Sequence, residues 1–332
     1  MRVLSGIQPS GKLHLGNYFG MMKLALELQD KQAETFLFIA NYHAMTSVQD
    51  AVALRDGTYD VALDFLACGL DPHKTVFYRQ SDVPKVHELA WLLSVVTPMG
   101  LLERCHSYKD KIARGMPPNH GLFAYPVLMA SDILAVQSDV VPVGQDQKQH
   151  VEVTRDLAIK FNNRFGETFK IPEPLIKENV AVVPGIDGQK MSKSYNNSIE
   201  LFLPQSKLRK VCMRIVTDSK TVADKKDPDK CNVFALYKLF TSKEQCAQMA
   251  DRYRNGGIGY GEVKKELAEL IWQYFSPARA RRDKLLSDPA EVERILREGA
   301  AKARRVIDNT LKKARIAVGL EKSDLRDINH AC

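Results

Sequence analysis

Two lysines lie three residues apart in a short segment that is rich in hydroxyl side chains, Lys190–Ser194 (KMSKS). Glycines at 185 and 188 precede this segment and Asn196 and Asn197 follow it, which predicts a mobile loop. Two ammonium groups with neighbouring hydroxyls can hold a pyrophosphate while negative charge builds up on it. The segment is therefore predicted to bind phosphate. The alternative is a surface loop that is rich in lysine and serine by chance.

A second segment with the features of a ligand site is Gln8–Asn17 (QPSGKLHLGN), which lies between a predicted strand and a predicted helix. A parallel sheet binds its ligands at the carboxyl ends of its strands, where such a segment lies. Gly16 would allow a ligand to approach the backbone, and the N-terminus of the following helix favours phosphate. The glycines match neither a dinucleotide fingerprint nor a P-loop. A turn without a function remains the alternative.

A third segment, Gly144–His150 (GQDQKQH), directly follows a predicted strand. Gly144 would let a nucleoside approach the backbone, and Asp146 could accept hydrogen bonds from ribose hydroxyls. A lone aspartate at the end of a strand is often only the N-cap of the next helix. The two roles are compatible here, because a helix is predicted to begin at this point.

The histidines and cysteines give no sign of a metal or redox centre. His43, His87, His106 and His150 lack the spacing of ligands on one helix face, so structural roles are favoured. The six cysteines contain no C-x-x-C pair, which argues against a zinc ribbon, an iron–sulfur cluster or a redox motif and favours the reduced thiols of a cytosolic enzyme. The sequence contains no apolar run long enough for a membrane span, and its start does not have the pattern of a secretory signal.

The hydrophobic pattern predicts an α/β fold, with a Rossmann-like parallel sheet in residues 1–194 and an all-α region in residues 195–332. The predicted strands are Arg2–Ile7, Thr35–Ala40, Thr75–Tyr78 and Val140–Val143. They alternate with predicted helices at Asn17–Gln29, Ala51–Cys68 and Gln147–Phe165. The helices predicted after residue 195 are Ser206–Val216, Val233–Phe240, Lys243–Arg254, Glu262–Phe275 and Pro289–Val318.

The formal net charge of +8 is distributed unevenly along the chain. Residues 1–194 contain 20 lysines and arginines against 21 acidic residues, whereas residues 195–332 contain 28 against 19. A basic helical region beside a neutral one favours a polyanionic partner. Arg279, Arg281, Arg282 and Lys284 form its densest basic cluster, which either contacts that partner or is ordinary solvated surface.

The three segments together resemble the class I aminoacyl-tRNA synthetases. Residues 14–17 (HLGN) resemble their HIGH signature, and Lys190–Ser194 matches their KMSKS signature letter for letter. Residues 6–11, 125–134 and 144–156 are similar to the bacterial tryptophanyl-tRNA synthetase family, and the resemblance extends to about residue 320. The HIGH site departs at Leu15 and Asn17, and asparagine at the last position is what this family shows.

The resemblance implies an enzyme that activates L-tryptophan with ATP and Mg²⁺ and then transfers it to tRNA(Trp). It also implies a cytoplasmic homodimer with an anticodon-binding helical domain in residues 195–332. The residues implied in catalysis are Lys190, Lys193, His14 and Asn17. The residues implied in binding ATP are Gln8, Pro9, Ser10, Gly16, Asn17, Gly144, Gln145, Asp146, Val183, Lys190, Met191, Ser192, Lys193 and Ser194. Val182 is a further candidate for adenine packing, and Lys109 and Lys111 are either phosphate contacts or solvated surface.

The tryptophan pocket implied by the resemblance centres on Asp132, whose carboxylate would accept the indole N–H. Met129, one helical turn earlier, would pack on the ring, and Tyr125 and Gln147 would hold the amino group. His43 would form a wall of the pocket. The alternative for Asp132 is an ion pair with a nearby lysine or arginine.

Three other functions remain compatible with these motifs. A tyrosyl-tRNA synthetase shares the fold and both signatures, a synthetase-like protein could bind tRNA without catalysis, and a nucleotidylyltransferase could use another carboxylate. Intact Lys190 and Lys193 argue against the non-catalytic protein. The basic helical region argues against the nucleotidylyltransferase.

Overall fold

The computed structural model describes residues 1–31, 33–105, 108–109, 113, 115, 118–144, 147–176 and 183–322. Its centre is a parallel five-stranded sheet with the strand order β3-β2-β1-β4-β5. The strands are β1 (Arg2–Ile7), β2 (Glu34–Ile39), β3 (Thr75–Arg79), β4 (Val140–Pro142) and β5 (Glu173–Leu175). The strands predicted from the sequence are confirmed within one residue at each end. β5 was not predicted, because its three residues include a proline and show no apolar run.

Helices connect the strands and form the rest of the described chain. In the first part they are α1 (Leu15–Asn17), which continues through a π-helical turn (Tyr18–Met22) into α2 (Lys23–Leu28), then α3 (Asn41–Ala44), α4 (Ala51–Ala67), α5 (Val86–Ser94), α6 (Met99–Glu103), α7 (His120–Ala135) and α8 (Lys148–Phe165). After residue 195 they are α9 (Gln205–Met213), α10 (Asn232–Tyr237), α11 (Lys243–Asn255), α12 (Tyr260–Tyr274), α13 (Ser276–Leu286) and α14 (Pro289–Ala317). Short 3-10 turns lie at Gln80–Asp82, Lys193–Tyr195 and Pro228–Lys230.

The sheet is buried on both faces, as the continuous apolar run of β2 predicts. One face packs with α4 and with helices after residue 195, through Leu37, Ile39 and Phe77. The other face packs with α5, α7 and α8, through Leu4 and Phe36. The carboxyl ends of β1, β2 and β4 are left to shape a cavity.

The last helix, α14, returns from the helical region to the sheet and covers its edge strand, β3. Ala300, Ala303 and Ile307 of this helix belong to the same apolar cluster as the strands. The approach is so close that a Cβ at Gly299 would overlap the Phe77 carbonyl oxygen. The chain after residue 195 therefore also covers one edge of the sheet. The division of the chain near residue 195 stays a prediction.

Candidate active site

A cavity of about 1120 Å³ opens at the carboxyl ends of β1, β2 and β4. It brings together many of the predicted site residues, which are Gln8, Gly16, Asn17, His43, Tyr125, Met129, Asp132, Gly144, Gln147, Val183, Lys190 and Met191. Pro9, Ser10, His14, Ser192, Lys193 and Ser194 flank this cavity in sequence but do not line it. Lys109 does not line it either. Gln145, Asp146, Lys111 and Val182 lie outside the described residues.

His14 and Asn17 start the first helix by capping one another. The Asn17 backbone N–H donates to His14 Nδ1 over 3.3 Å, and the His14 backbone N–H donates to Asn17 Oδ1 over 3.1 Å. Burial, and then the positive charge of Lys193, lower the pKa of His14 to about 4. The imidazole is therefore neutral at pH 7, and because Nδ1 accepts a hydrogen bond, Nε2 carries the proton.

The KMSKS segment is tied down by a buried side chain, Asn197. Asn197 Nδ2 donates to Asp187 Oδ1 (2.8 Å) and to the Lys190 carbonyl (3.1 Å), and Asn197 Oδ1 accepts from the Ser192 backbone N–H (2.8 Å). A Cβ at Gly185 would overlap the Asn197 side chain, which explains the glycine there. The sequence pattern predicted only a mobile loop at this point. The sequence around Asn197 does not show whether this side chain is buried and hydrogen-bonded or belongs to an ordinary turn.

The two signature segments contact one another directly. The Gly16 backbone N–H lies 3.3 Å from Met191 Sδ, and Lys193 Nζ lies 3.4 Å from the Ser10 carbonyl oxygen. Burial lowers the pKa of Lys193, and the neighbouring charge of Lys12 acts in the same direction. Exposed Lys190 lines the cavity. The KMSKS segment therefore meets the N-terminus of the first helix, with Lys190 lining the cavity and Lys193 next to Ser10.

The opposite end of the cavity contains a buried carboxylate. Asp132 Oδ2 lies 2.8 Å from His43 Nε2, and Gln80 Nε2 lies 2.9 Å from Oδ1 and 2.8 Å from Oδ2. Asp132 is 3% exposed, and its partners are a histidine and an amide rather than the lysine or arginine of the alternative interpretation. Gln80 was missed by the sequence analysis. Its position directly after β3, at the carboxyl end of a parallel strand, is the signal that could have found it.

Tyr125 and His150 form the neighbouring wall. The Tyr125 hydroxyl lies 2.6 Å from His150 Nε2, and the Tyr125 ring packs edge-on against the ring of His43. His150 therefore has a structural partner, in line with the prediction for it. Across the described ranges, no group of three or more His, Cys, Asp or Glu side chains could hold a metal ion.

The arginine cluster after residue 278 makes contacts within the chain. Arg282 Nε and Nη2 each lie 2.8 Å from a carboxylate oxygen, one from Asp64 and one from Asp60. Arg281 Nε donates to the Ala67 carbonyl, and Arg279 stacks on Trp272. These three arginines attach α13 to α4 and to its own neighbour α12, which counts against the cluster as a docking surface for a polyanion. Lys284 is exposed.

In the part of the chain that the structure describes, no helix is both long enough and apolar enough to cross a membrane.

Comparisons with known proteins agree with the geometry. A family profile described as tRNA synthetases class I (W and Y) matches residues 1–276. The tryptophan–tRNA ligase of Fusobacterium nucleatum is 53% identical over 96% of this chain and 98% of that protein. A solved tryptophanyl-tRNA synthetase from Campylobacter jejuni, complexed with ADP and tryptophan, is 51% identical with a TM-score of 0.92, over 96% of this chain and 100% of the other. The synthetase from Mycoplasma pneumoniae is 30% identical with a TM-score of 0.80, over 96% and 98% of the two chains. The chain therefore belongs to the W and Y family of class I tRNA synthetases.

Proposed function

We propose that this protein is a tryptophan–tRNA ligase. It activates L-tryptophan with ATP to give tryptophanyl-adenylate and pyrophosphate, and it transfers the tryptophanyl group to tRNA(Trp). The observation that carries the proposal is one cavity with the HIGH-type and KMSKS segments at one end and the buried carboxylate of Asp132 at the other. A relative that shares half of its residues with this chain is complexed with ADP and tryptophan.

Adenylate formation needs no general base in this arrangement. The tryptophan carboxylate is ionised at neutral pH, so one of its oxygens attacks the α-phosphorus while the bond to the bridging oxygen breaks and pyrophosphate leaves. Lys190 and Lys193 supply positive charge to the leaving pyrophosphate. His14 donates Nε2–H to the phosphates as a neutral group, and Asn17 and Gly16 border the same end. Ser192 and Ser194 are proposed as further phosphate contacts.

The nucleoside and the metal have their own places in the proposal. Gly144 and Val183 line the cavity and are proposed to contact the adenosine, together with Gln8 and Met191. Magnesium prefers few protein ligands and several phosphate oxygens. Mg²⁺ is therefore proposed to enter with the nucleotide, as part of the substrate MgATP.

At the other end, Asp132 accepts the indole N–H and Met129 packs on the ring. Tyr125 and Gln147 line the cavity beside them and are proposed to hold the amino group, with His43 as a wall. Phenylalanine has no ring donor and would leave the carboxylate unpaired, which is costly in a buried site. The pocket can therefore reject phenylalanine without an editing step.

The proposed partners follow from the charge and the exposed apolar side chains of the protein surface. The basic excess after residue 195 favours tRNA, whose anticodon region would contact the helical domain. Trp91 and Met99 are 70% and 63% exposed, and Val95, which lies between them in sequence, is also exposed. Trp91 lines a groove together with His120 and Leu128. Large exposed apolar side chains of this kind indicate a protein interface. We therefore propose a homodimer in the cytoplasm that uses this face.

The test is ATP–pyrophosphate exchange with each proteinogenic amino acid, followed by charging of tRNA(Trp). Tryptophan should support exchange at least about 10³-fold better than any other amino acid, as in sites that pair a buried polar group with a substrate donor. Faster exchange with tyrosine would make the protein a tyrosyl-tRNA synthetase. Absence of exchange with every amino acid would leave only a binding protein.

A further inference from the structure

Gln80, which neither signature includes, lies at the buried end of the cavity. It follows β3 directly, and its side chain has no exposed surface. Its Nε2 lies within hydrogen-bond distance of both oxygens of Asp132, at 2.9 and 2.8 Å. A fully buried amide is costly unless both its donor and its acceptor find partners. Gln80 therefore needs hydrogen-bond partners for both its donor and its acceptor.

The orientation of this amide is fixed by the backbone. Gln80 Oε1 accepts from the backbone N–H of Tyr42 at 3.1 Å and faces that of His43 at 3.4 Å. An amide carries its acceptor on one arm and its donors on the other, so two backbone donors on one side force the NH₂ group toward Asp132. Gln80 therefore donates to Asp132, whose oxygens act as the acceptors.

The hydrogen bonds of Asp132 are shared unequally between its two oxygens. Oδ2 accepts from His43 Nε2 at 2.8 Å and from Gln80, whereas Oδ1 accepts from Gln80 as its one partner among the described residues. Each carboxylate oxygen has room for about two donors. Oδ1 therefore keeps acceptor capacity for a donor that enters the cavity, which Asp132 lines.

We propose that Gln80 is a specificity-determining positioning residue, which holds Asp132 so that Oδ1 faces a donor on the ring of the amino-acid substrate. Gln80 does not touch the substrate and acts through Asp132. The inference rests on the proposed use of tryptophan, because only a ring N–H makes the orientation of Oδ1 matter.

The hydrogen bonds between Asn41 and Ser81 are separate from the Gln80–Asp132 pair. Asn41 Nδ2 donates to Ser81 Oγ at 2.8 Å and the Ser81 backbone N–H donates to Asn41 Oδ1 at 3.0 Å, which fastens the ends of β2 and β3 together. The titratable groups that face the pair are His43 from α3, Tyr78 from β3, Tyr125 from α7 and, behind Tyr125, His150 from α8. All of them are present in every variant proposed below.

Gln80→Glu is the sharpest test, because it changes the chemistry and almost nothing of the shape. A protonated carboxyl can accept from the backbone and donate to Asp132 as the amide does, whereas an ionised one repels Asp132. Two carboxyls that share a site raise the pKa of one of them. The kcat/KM for L-tryptophan in pyrophosphate exchange, relative to the unmodified enzyme, should therefore be near one at low pH. It should fall at least about tenfold as the pH rises through that raised pKa. The KM for ATP should stay constant.

The control is Ser81→Ala, which removes one bond of the Asn41–Ser81 fastening and no contact with Asp132. It should lower the melting temperature and keep the pH profile of the unmodified enzyme. A ratio for Gln80→Glu that does not change with pH, or a KM for ATP that changes as much as the KM for tryptophan, overturns the proposal.

A second variant, Gln80→Met, covers the case in which Gln80→Glu does not fold. It should raise the KM for tryptophan and narrow the preference over phenylalanine by about tenfold, at all pH values. An unchanged KM for tryptophan together with an unchanged preference over phenylalanine would contradict the proposal. If the unmodified enzyme prefers an amino acid other than tryptophan, the proposed function itself has failed. If it prefers tryptophan and the Gln80 variants behave like it, only the role of Gln80 has failed.

Discussion

The two ends of the cavity are built in opposite ways. At the proposed phosphate end, which holds Lys190 and Lys193, Lys190 is exposed and Lys193 lies 3.4 Å from a backbone carbonyl oxygen of the other signature segment. At the tryptophan end, Asp132, His43 and Gln80 are 3%, 5% and 0% exposed and bond to one another through their side chains.

The difference follows from what each end must do. In the proposed function, the phosphate end meets a charge that grows during the reaction and must then release pyrophosphate, so its cations need to be accessible. The tryptophan end must distinguish one ring from another of similar size. A preorganised buried acceptor does that, because a ligand without the donor leaves it unpaired. Substitutions at one end should therefore leave the other end unchanged. Those at the phosphate end should lower the rate of adenylate formation, and those at the tryptophan end should weaken the recognition of tryptophan.

The largest effect is expected at the phosphate end. Lys190→Ala or Lys193→Ala should lower the rate of adenylate formation about a hundredfold, or on the order of 3 kcal/mol, because each charge acts mainly in the transition state. Single-turnover kinetics should show the loss, while equilibrium binding of tryptophan stays within about twofold. Lys220→Ala, an exposed lysine after residue 195, is the control and should change neither. Near-normal rates for both signature variants would contradict the role.

A smaller effect, of the opposite kind, is expected at the tryptophan end. Asp132→Ala removes the acceptor for the indole N–H and should weaken the use of tryptophan by roughly thirtyfold, or about 2 kcal/mol. The loss should appear in the KM for tryptophan and in a narrower preference over phenylalanine, measured by pyrophosphate exchange with both amino acids. The KM for ATP should not move. If the preference over phenylalanine survives intact, discrimination does not depend on this carboxylate.

Short patterns in the sequence indicated the phosphate end directly, whereas the tryptophan end was predicted only through the family resemblance, and the reason is physical. The phosphate end consists of contiguous segments whose glycines, lysines and hydroxyls carry their chemistry in short patterns, as in Lys190–Ser194. The tryptophan end joins side chains that lie 52 and 89 positions from Asp132 along the chain. Gln80 has no short pattern of its own, and its one sequence signal is its position directly after β3.

The basic cluster after residue 278 also shows what could not be predicted from the sequence alone. Its composition left open whether it contacts a polyanion or is solvated surface, and neither describes Arg282, which pairs with Asp60 and Asp64 on α4 and is only 16% exposed at its side chain. Charge in the sequence does not say which charges the fold uses internally. β1 to β4, by contrast, follow from local apolar runs, and their predicted bounds are accurate within one residue.

The smallest expected effect concerns the pH dependence of stability at the phosphate end, and it depends on His14. In the folded protein its pKa is about 4, below the ordinary value of 6.5, because of burial and then Lys193. As the pH falls from about 6.5 toward about 4, the unfolded chain takes up a proton that the folded chain refuses, so the folded state loses stability. After a discount for solvent screening, the loss from this residue should be about 1 kcal/mol.

The variant His14→Asn isolates this contribution, because asparagine also caps helices well and does not titrate. Urea unfolding at a series of pH values should show the unmodified protein losing stability relative to the variant on acidification, with a constant difference above neutrality. Curves that stay parallel throughout would mean that His14 is protonated as readily when folded as when unfolded. It would then add a positive charge to the phosphate end near its own pKa. The contrast between a neutral donor and the two cationic lysines at that end would then no longer hold.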